Sequence, residues 1–220
     1  QKAPDRFRGD GPHTQLIIRG ITLINGNGAP PRGPIDIVVE NNIIKSINVV
    51  GNPGVKIDNS KRPQLKKGGK ELDCEGMYLL PGFVDMHGHI GGKSQGADAE
   101  YVFKLWMGHG ITTIRDPSAG NGLEWVLEHK ERSKTNSITA PRILAYTAFG
   151  MGNDEPISTA EGARKWVRDN KAKGADGVKF FGAPPEIMSA ALDENKKLGL
   201  RSACHHAQMD VARWNVLKSA

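Results

Sequence analysis

The chain has 220 residues, enough for one large domain or two small ones, with 38% hydrophobic and 25% charged residues. Its 27 glycines and 13 prolines exceed the average combined share of about 12%, too turn-rich for a helical bundle and without the repeat of a collagen. A net charge of +6 is spread over mixed acids and bases. The one basic run, Lys61–Lys70, has no interleaved aromatics and reads as a solvated loop, so no nucleic-acid partner is expected. No stretch reaches the ~20 apolar residues of a membrane span.

Residues 1–13 are polar and rich in Pro and Gly, and read as an arm. Short β-branched runs follow at Gln15–Ile18, Ile21–Ile24, Ile35–Glu40 and Ile43–Val49, separated by Asn/Gly turns that are hairpin signals. After a Pro/Gly/Lys loop, Glu71–Cys74 and Met77–Leu80 complete a predicted small β-sandwich, giving a first domain over 1–80. From Pro81 the pattern becomes strand–helix alternation. Strands are predicted at Phe83–His87, Gly110–Arg115, Arg142–Thr147, Gly177–Phe181 and Leu200–His205. Helices are predicted at Ala99–Met107, Leu123–Arg132, Ser158–Lys173, Pro185–Leu198 and from Val211, the third opened by a Ser158/Glu161 capping box. Such alternation implies parallel βα units. With no Gly-rich phosphate loop, it favours the first five units of a (β/α)8 barrel over a doubly wound sheet, giving a second, incomplete domain over 81–220.

Three features carry chemistry. The first is Pro81-Gly82-Phe83-Val84-Asp85-Met86-His87-Gly88-His89. On a continuing strand, His87 and His89 share a face ~6.6 Å apart, a gap that one metal ion at ~2.1 Å from each nitrogen can bridge. They close a strand at the end where barrel catalytic groups sit. The second is Lys179 inside Gly177-Val178-Lys179-Phe180-Phe181-Gly182. A lysine in a covered parallel strand is unusual, burial lowers its pKa, and a neutral amine can add carbon dioxide to become an anionic carbamate. The third is Ala203-Cys204-His205-His206, where one histidine faces the barrel mouth and the other faces away. Strand alternation from Arg201 through Ala203 favours His205 as the ligand, with His206 the alternative.

HxH on the first barrel strand, Lys on the fourth and His on the fifth together resemble the amidohydrolase superfamily. The leader Ile17–Ile24 with Asp36–Ile47 is similar to its N-terminal sandwich, and Leu72–Gly82 to its approach to the barrel. Gly110-Ile111-Thr112-Thr113-Ile114-Arg115-Asp116 resembles the second strand of the imidazolonepropionase-like branch, which includes Xaa-Pro dipeptidases. The resemblance implies a hydrolase that cleaves a C–N bond, in a peptide or cyclic amide, with a metal-activated hydroxide. It implies divalent metal, two zinc ions per site, held by His87, His89, Lys179 as its carbon dioxide carbamate, and His205 or His206. It also implies a further His and a general-base Asp beyond Ala220, in a C-terminal part of the same enzyme. Residues 1–220 alone are therefore expected to be inactive.

Other readings stand beside this one. A mononuclear deaminase of the same superfamily would lack the bridging lysine, so Lys179 argues against it. A non-catalytic binding protein on the same scaffold would lack the later Asp. His13, His109 and His129 read as structural, and Arg115 and Asp116 as a pair or as supports of the mouth. Cys74 and Cys204 have neither metal nor disulfide spacing. The start at Gln1 favours an exported protein over a cytoplasmic one, and a homo-oligomer is compatible with everything above.

Overall fold

The computed structural model describes residues 10–205, which divide into two compact units between Pro81 and Gly82. In the first unit, β1 (Gln15–Leu23), β2 (Arg32–Glu40), β3 (Ile43–Val49), β4 (Lys70–Asp73) and β5 (Tyr78–Leu79) form one five-stranded sheet, a single layer of the expected sandwich. The order is β3-β2-β1-β4, with β5 also paired to β1. The β2–β3 hairpin turns at Asn41 and Asn42, both at positive φ, which the short polar Asn side chain tolerates. The two runs expected on either side of Arg19-Gly20 are one strand. A register shift between Ile18 and Ile21 absorbs the irregularity, and Ile21 and Leu23 pack with Ile35 and Ile37.

One buried acid fastens this unit. The Asp36 side chain is fully buried and accepts from Gly20 N (2.9 Å), Arg19 Nη1 (3.0 Å) and Arg62 Nε and Nη2 (both 2.9 Å). Arg19 also pairs with Glu71 on β4 at 2.7 Å. The long loop carrying Arg62 is thereby tied to the sheet, because an unpaired buried carboxylate would be costly. Burial alone would raise the Asp36 carboxyl, but the two arginines and the Gly20 N–H outweigh it and hold it below the ordinary carboxylate range.

In the second unit, strands and helices alternate without interruption: β6 (Phe83–Asp85), α1 (Ala99–Gly108), β7 (Ile111–Asp116), α2 (Leu123–Lys134), β8 (Arg142–Ala148), α3 (Ala160–Lys173), β9 (Gly177–Phe180), α4 (Pro185–Lys197) and β10 (Arg201–Cys204). All neighbouring strands are parallel and lie in chain order, β10-β9-β8-β7-β6. A doubly wound sheet would reverse direction at a switch point; consecutive order is that of a barrel wall. Alternation along the strands sorts the side chains. Ile114, Ile143 and Ala145 pack against Phe103 of α1 and Leu123 and Val126 of α2. Val178 and Phe180 pack against Trp166 and Val167 of α3 and Ile187, Met188 and Ala191 of α4. Arg115, Tyr146 and Lys179, one step out of phase, therefore belong to the opposite face.

Two local expectations are corrected. The first barrel strand ends at Asp85 rather than His87. Helix α3 starts at Ala160 with Thr159 as its cap, its hydroxyl accepting from Gly162 N at 3.0 Å; Glu161 pairs instead with Arg168, which removes it from a box with Ser158. His129, expected to be structural, is buried on α2 with its ring 4.0 Å from Trp125 and Nδ1 2.8 Å from the Trp125 carbonyl. The helix expected from Val211 lies outside the described residues.

The Asp36 pairing is directly testable. A carboxyl held low in the folded state contributes stability that is present above the unfolded pKa of about 3.9 and is lost as pH falls through the folded value. In the complete protein, Asp36→Ala should cost about 3 kcal/mol at pH 7, since it leaves Arg62 without its acid. The deficit relative to wild type should shrink at pH 3, as read from urea unfolding at both pH values. Equal midpoints at pH 7 would show that the cluster contributes nothing.

Candidate metal centre

The HxH segment is built by a turn and not by a strand. Asp85 Oδ1 accepts from His87 N at 2.8 Å, bending the chain out of β6. Gly88 N then donates to the Arg115 carbonyl at 3.1 Å, which keeps the bend on β7. A side chain at 88 is excluded, because a Cβ there would lie 2.4 Å from Ile114 Cδ1. With the backbone so pinned, the His87 and His89 rings meet edge to face, centroids 5.7 Å apart. Both side chains are exposed at the end of the strand.

Lys179 lies on β9 and is 3% exposed. Its register neighbours are Ala148 on β8 and Ala203 on β10, whose small side chains leave room for the lysine stem. Among the described residues Nζ meets no carboxylate; the group it faces is the Phe181 ring, 5.6 Å away. Burial first, and then the Arg115 guanidinium, push the Lys179 amine below its ordinary range, with Cys204 opposing. The His205 ring also stacks on Phe181, centroids 5.6 Å apart. His205 N donates to the Phe180 carbonyl at 3.0 Å, which extends the β9–β10 ladder by one residue beyond the strand. Cys204 packs against the helix-side cluster, so alternation turns His205 toward the Lys179 side. His206 lies outside the described residues.

The four sites converge. Burial lowers the His87 pKa, and the electrostatic influence of Lys179, His89, Arg115 and His205, in that order, lowers it further. A neutral imidazole and a neutral amine are the forms that can donate a lone pair to a metal, and a buried lysine without an acid is the form that can take up carbon dioxide. The donor set therefore fits a divalent cation centre. It is incomplete as it stands: among the described residues no three His, Cys, Asp or Glu side chains form a metal cage.

Arg115 and Asp116 do not pair with each other. Arg115 Nε donates to the Met86 carbonyl at 2.5 Å, and its guanidinium lies 5.0 Å from the centre of the Tyr146 ring. Asp116 is 2% exposed, accepts from Ser118 N at 3.3 Å, and has an oxygen 3.7 Å from His89 Nδ1. Burial raises the Asp116 carboxyl, against the lowering pull of Ser118 N, His89 and Ala119 N. From sequence, Asp116 reads as a partner of Arg115 or a support of the mouth; alternation puts it on the face of Ile114, opposite Arg115, and so does not single it out as the neighbour of His89.

Comparison with known proteins agrees with this geometry. No family model matches the chain. It is 38% identical over 166 residues to an adenine deaminase of Bacillus licheniformis, covering 70% of this chain and 28% of that protein. It is 36% identical over 76 residues to a dihydroorotase of Thermoanaerobacter sp., covering 34% and 14%. A crystal structure of a Xaa-Pro dipeptidase superposes with a TM-score of 0.59 at 22% identity, covering 87% of this chain and 56% of that one, which shows a shared fold. The chain thus spans less than a third of the curated relatives' lengths. Over the part they cover, these likenesses place the chain with proteins of the amidohydrolase superfamily.

The turn that presents the histidines depends on Gly88. Gly88→Ala should destabilise the complete protein by about 1–3 kcal/mol through overpacking against Ile114, and should lower its metal content. Thermal unfolding and elemental analysis check this; wild-type values for both would show that the bend tolerates a side chain.

Proposed function

We propose that the complete protein is a metal-dependent hydrolase cleaving a C–N bond, with residues 1–80 as its N-terminal sandwich domain and 81–220 as the first part of its barrel. The observation that carries this reading is Lys179: buried on the inner face of β9, with no acid beside it among the described residues, and lowering the His87 pKa by its charge. The likeness to that superfamily supports hydrolysis at a C–N centre without choosing the substrate.

His87 and His89 would hold one divalent cation. Lys179 as its carbamate would bridge to a second, and His205 would bind that second ion. Carbamate formation balances as an N–C bond made between the neutral amine and carbon dioxide, with one proton released to solvent. The released charge matters here: an anionic Lys179 would turn a cluster of cations into a site with a bridging anion. When bound, divalent cations polarise a carbonyl and lower the pKa of water toward neutrality. The chain's own contribution is to hold the donors. The β9–β10 ladder fixes Lys179 and His205, the Asp85 and Gly88 bend fixes the two histidines, and the Phe181 ring packs against both Lys179 Nζ and His205. A peptide or cyclic amide is the proposed substrate class. The likeness to adenine deaminase favours a second reading, a deaminase of the same superfamily, in which Lys179 would carry no metal.

Metal analysis of the complete protein separates the two. Two divalent ions per chain are expected for the wild type and one for Lys179→Ala, with turnover lost and partly restored by short carboxylic acids. His205→Asn should also lose one ion, and His206→Asn should lose none. Wild-type metal content and rate in Lys179→Ala would reduce Lys179 to a structural residue and leave the deaminase reading.

A further inference from the structure

The polar groups around the proposed centre are almost all cationic or neutral: His87, His89, Arg115, Lys179 and His205. Among the described residues two acids stand beside the histidines, Asp85, which accepts from His87 N, and Asp116. The Asp116 side chain is nearly inaccessible, at 3% exposed, while the His89 side chain beside it is 41% exposed. The acid is set by its backbone. It closes β7, in register with Ala145 on β8, and accepts from Ser118 N in the turn that follows. The same oxygen, Oδ1, lies 3.7 Å from Nδ1 of His89. Arg115, the adjacent cation, is already committed to the Met86 carbonyl and the Tyr146 face and does not compete for the carboxylate.

We infer that Asp116 is a positioning residue for His89: its carboxylate accepts a hydrogen bond from Nδ1–H, fixes the ring, and leaves the Nε2 lone pair free for the metal. This rests on the metal-centre reading above and extends it to a residue that makes no contact with the metal. The physical logic is general. A histidine ligand needs its second nitrogen protonated and held, and a carboxylate in that place raises ligand basicity and fixes the tautomer. A small rotation of the His89 ring brings Nδ1 from 3.7 Å into hydrogen-bond range. The assignment also explains why an acid is buried here without a lysine or arginine: its counter-charge is the imidazole, made more acidic when its other nitrogen binds a cation. Among the described residues no acid side chain pairs with the His87 ring. Asp85, the nearest in sequence, spends its oxygen on the His87 backbone N–H and shapes the turn instead.

The experiment uses the complete protein and the isosteric Asp116→Asn variant. The amide oxygen can still accept from Ser118 N, so the turn and the fold are retained. That same oxygen would face His89 Nδ1 as a neutral and weaker acceptor, so the charge that fixes the tautomer is lost. Two readouts independent of turnover are taken. In metal-free protein, imidazole 15N shifts should show His89 protonated on Nδ1 in the wild type and a larger share of the Nε2-protonated tautomer in Asp116→Asn. Zinc added alone, in competition with a chelator, should bind the variant about 10–100-fold more weakly than the wild type. Asp116→Glu, which restores the acid, should recover part of that affinity. Wild-type zinc affinity in Asp116→Asn, or an Nε2-protonated His89 in the wild type, would overturn the inference. Failure of the wild type to bind zinc at all would instead remove the metal-centre reading, and the His89 tautomer in the same spectra would still decide whether Asp116 holds the ring.

Discussion

The cost of burying a charged lysine governs the barrel portion of this protein. Lys179 sits on a parallel strand whose opposite face is covered by α3 and α4, and parallel strands are buried on both faces. Register leaves it no alternative position: Ala148 and Ala203 flank it, and a slip by one residue would send Lys179 into the cluster now filled by Val178 and Phe180. With no acid beside it among the described residues, burial disfavours its ammonium form, and Arg115 adds to that. A lysine that could have been exchanged for a leucine at lower cost to folding stands where amine chemistry would use it.

The same alternation separates stability from chemistry. The residues facing the helices, Ile114, Ile143, Val178 and Phe180, make an ordinary apolar core. Those facing the other way, Arg115, Tyr146 and Lys179, form a polar inner layer. Tyr146 can lie across that layer because its register partner is Gly177, where a Cβ would come 2.5 Å from the tyrosine ring. Arg115 covers the ring in turn and is tethered to the Met86 carbonyl. The result is a supported floor reaching from the end of β6 to β9, beneath the histidines and the lysine. The first unit uses a different solution: a single buried acid, Asp36, collects two arginines and fixes a loop that has few apolar residues of its own.

Much of this was legible because it depends on period and residue type. The βα alternation from Pro81 is a pattern of long range, and His87, His89 and Lys179 stand out as polar residues at strand ends or inside apolar runs. What escaped depends on side chains choosing between partners. Whether Asp85 continues the strand or caps the next turn is decided by its bond to His87 N, which no periodicity reports. Thr159 displaced Ser158 as the α3 cap once Glu161 had Arg168 to pair with. Arg115 and Asp116, adjacent in sequence, look like a pair, but successive residues of a strand point to opposite faces, so each found a separate partner.

Chemical state at Lys179 is the most direct measure of the whole reading. The complete protein, loaded with divalent metal and equilibrated with 13C-bicarbonate, should show a carbamate carbon resonance that disappears in Lys179→Ala and returns to neither variant nor wild type after metal and bicarbonate are removed. A fully metal-loaded, active wild type without that resonance would contradict it, and would leave Lys179 a buried amine with no part in the centre.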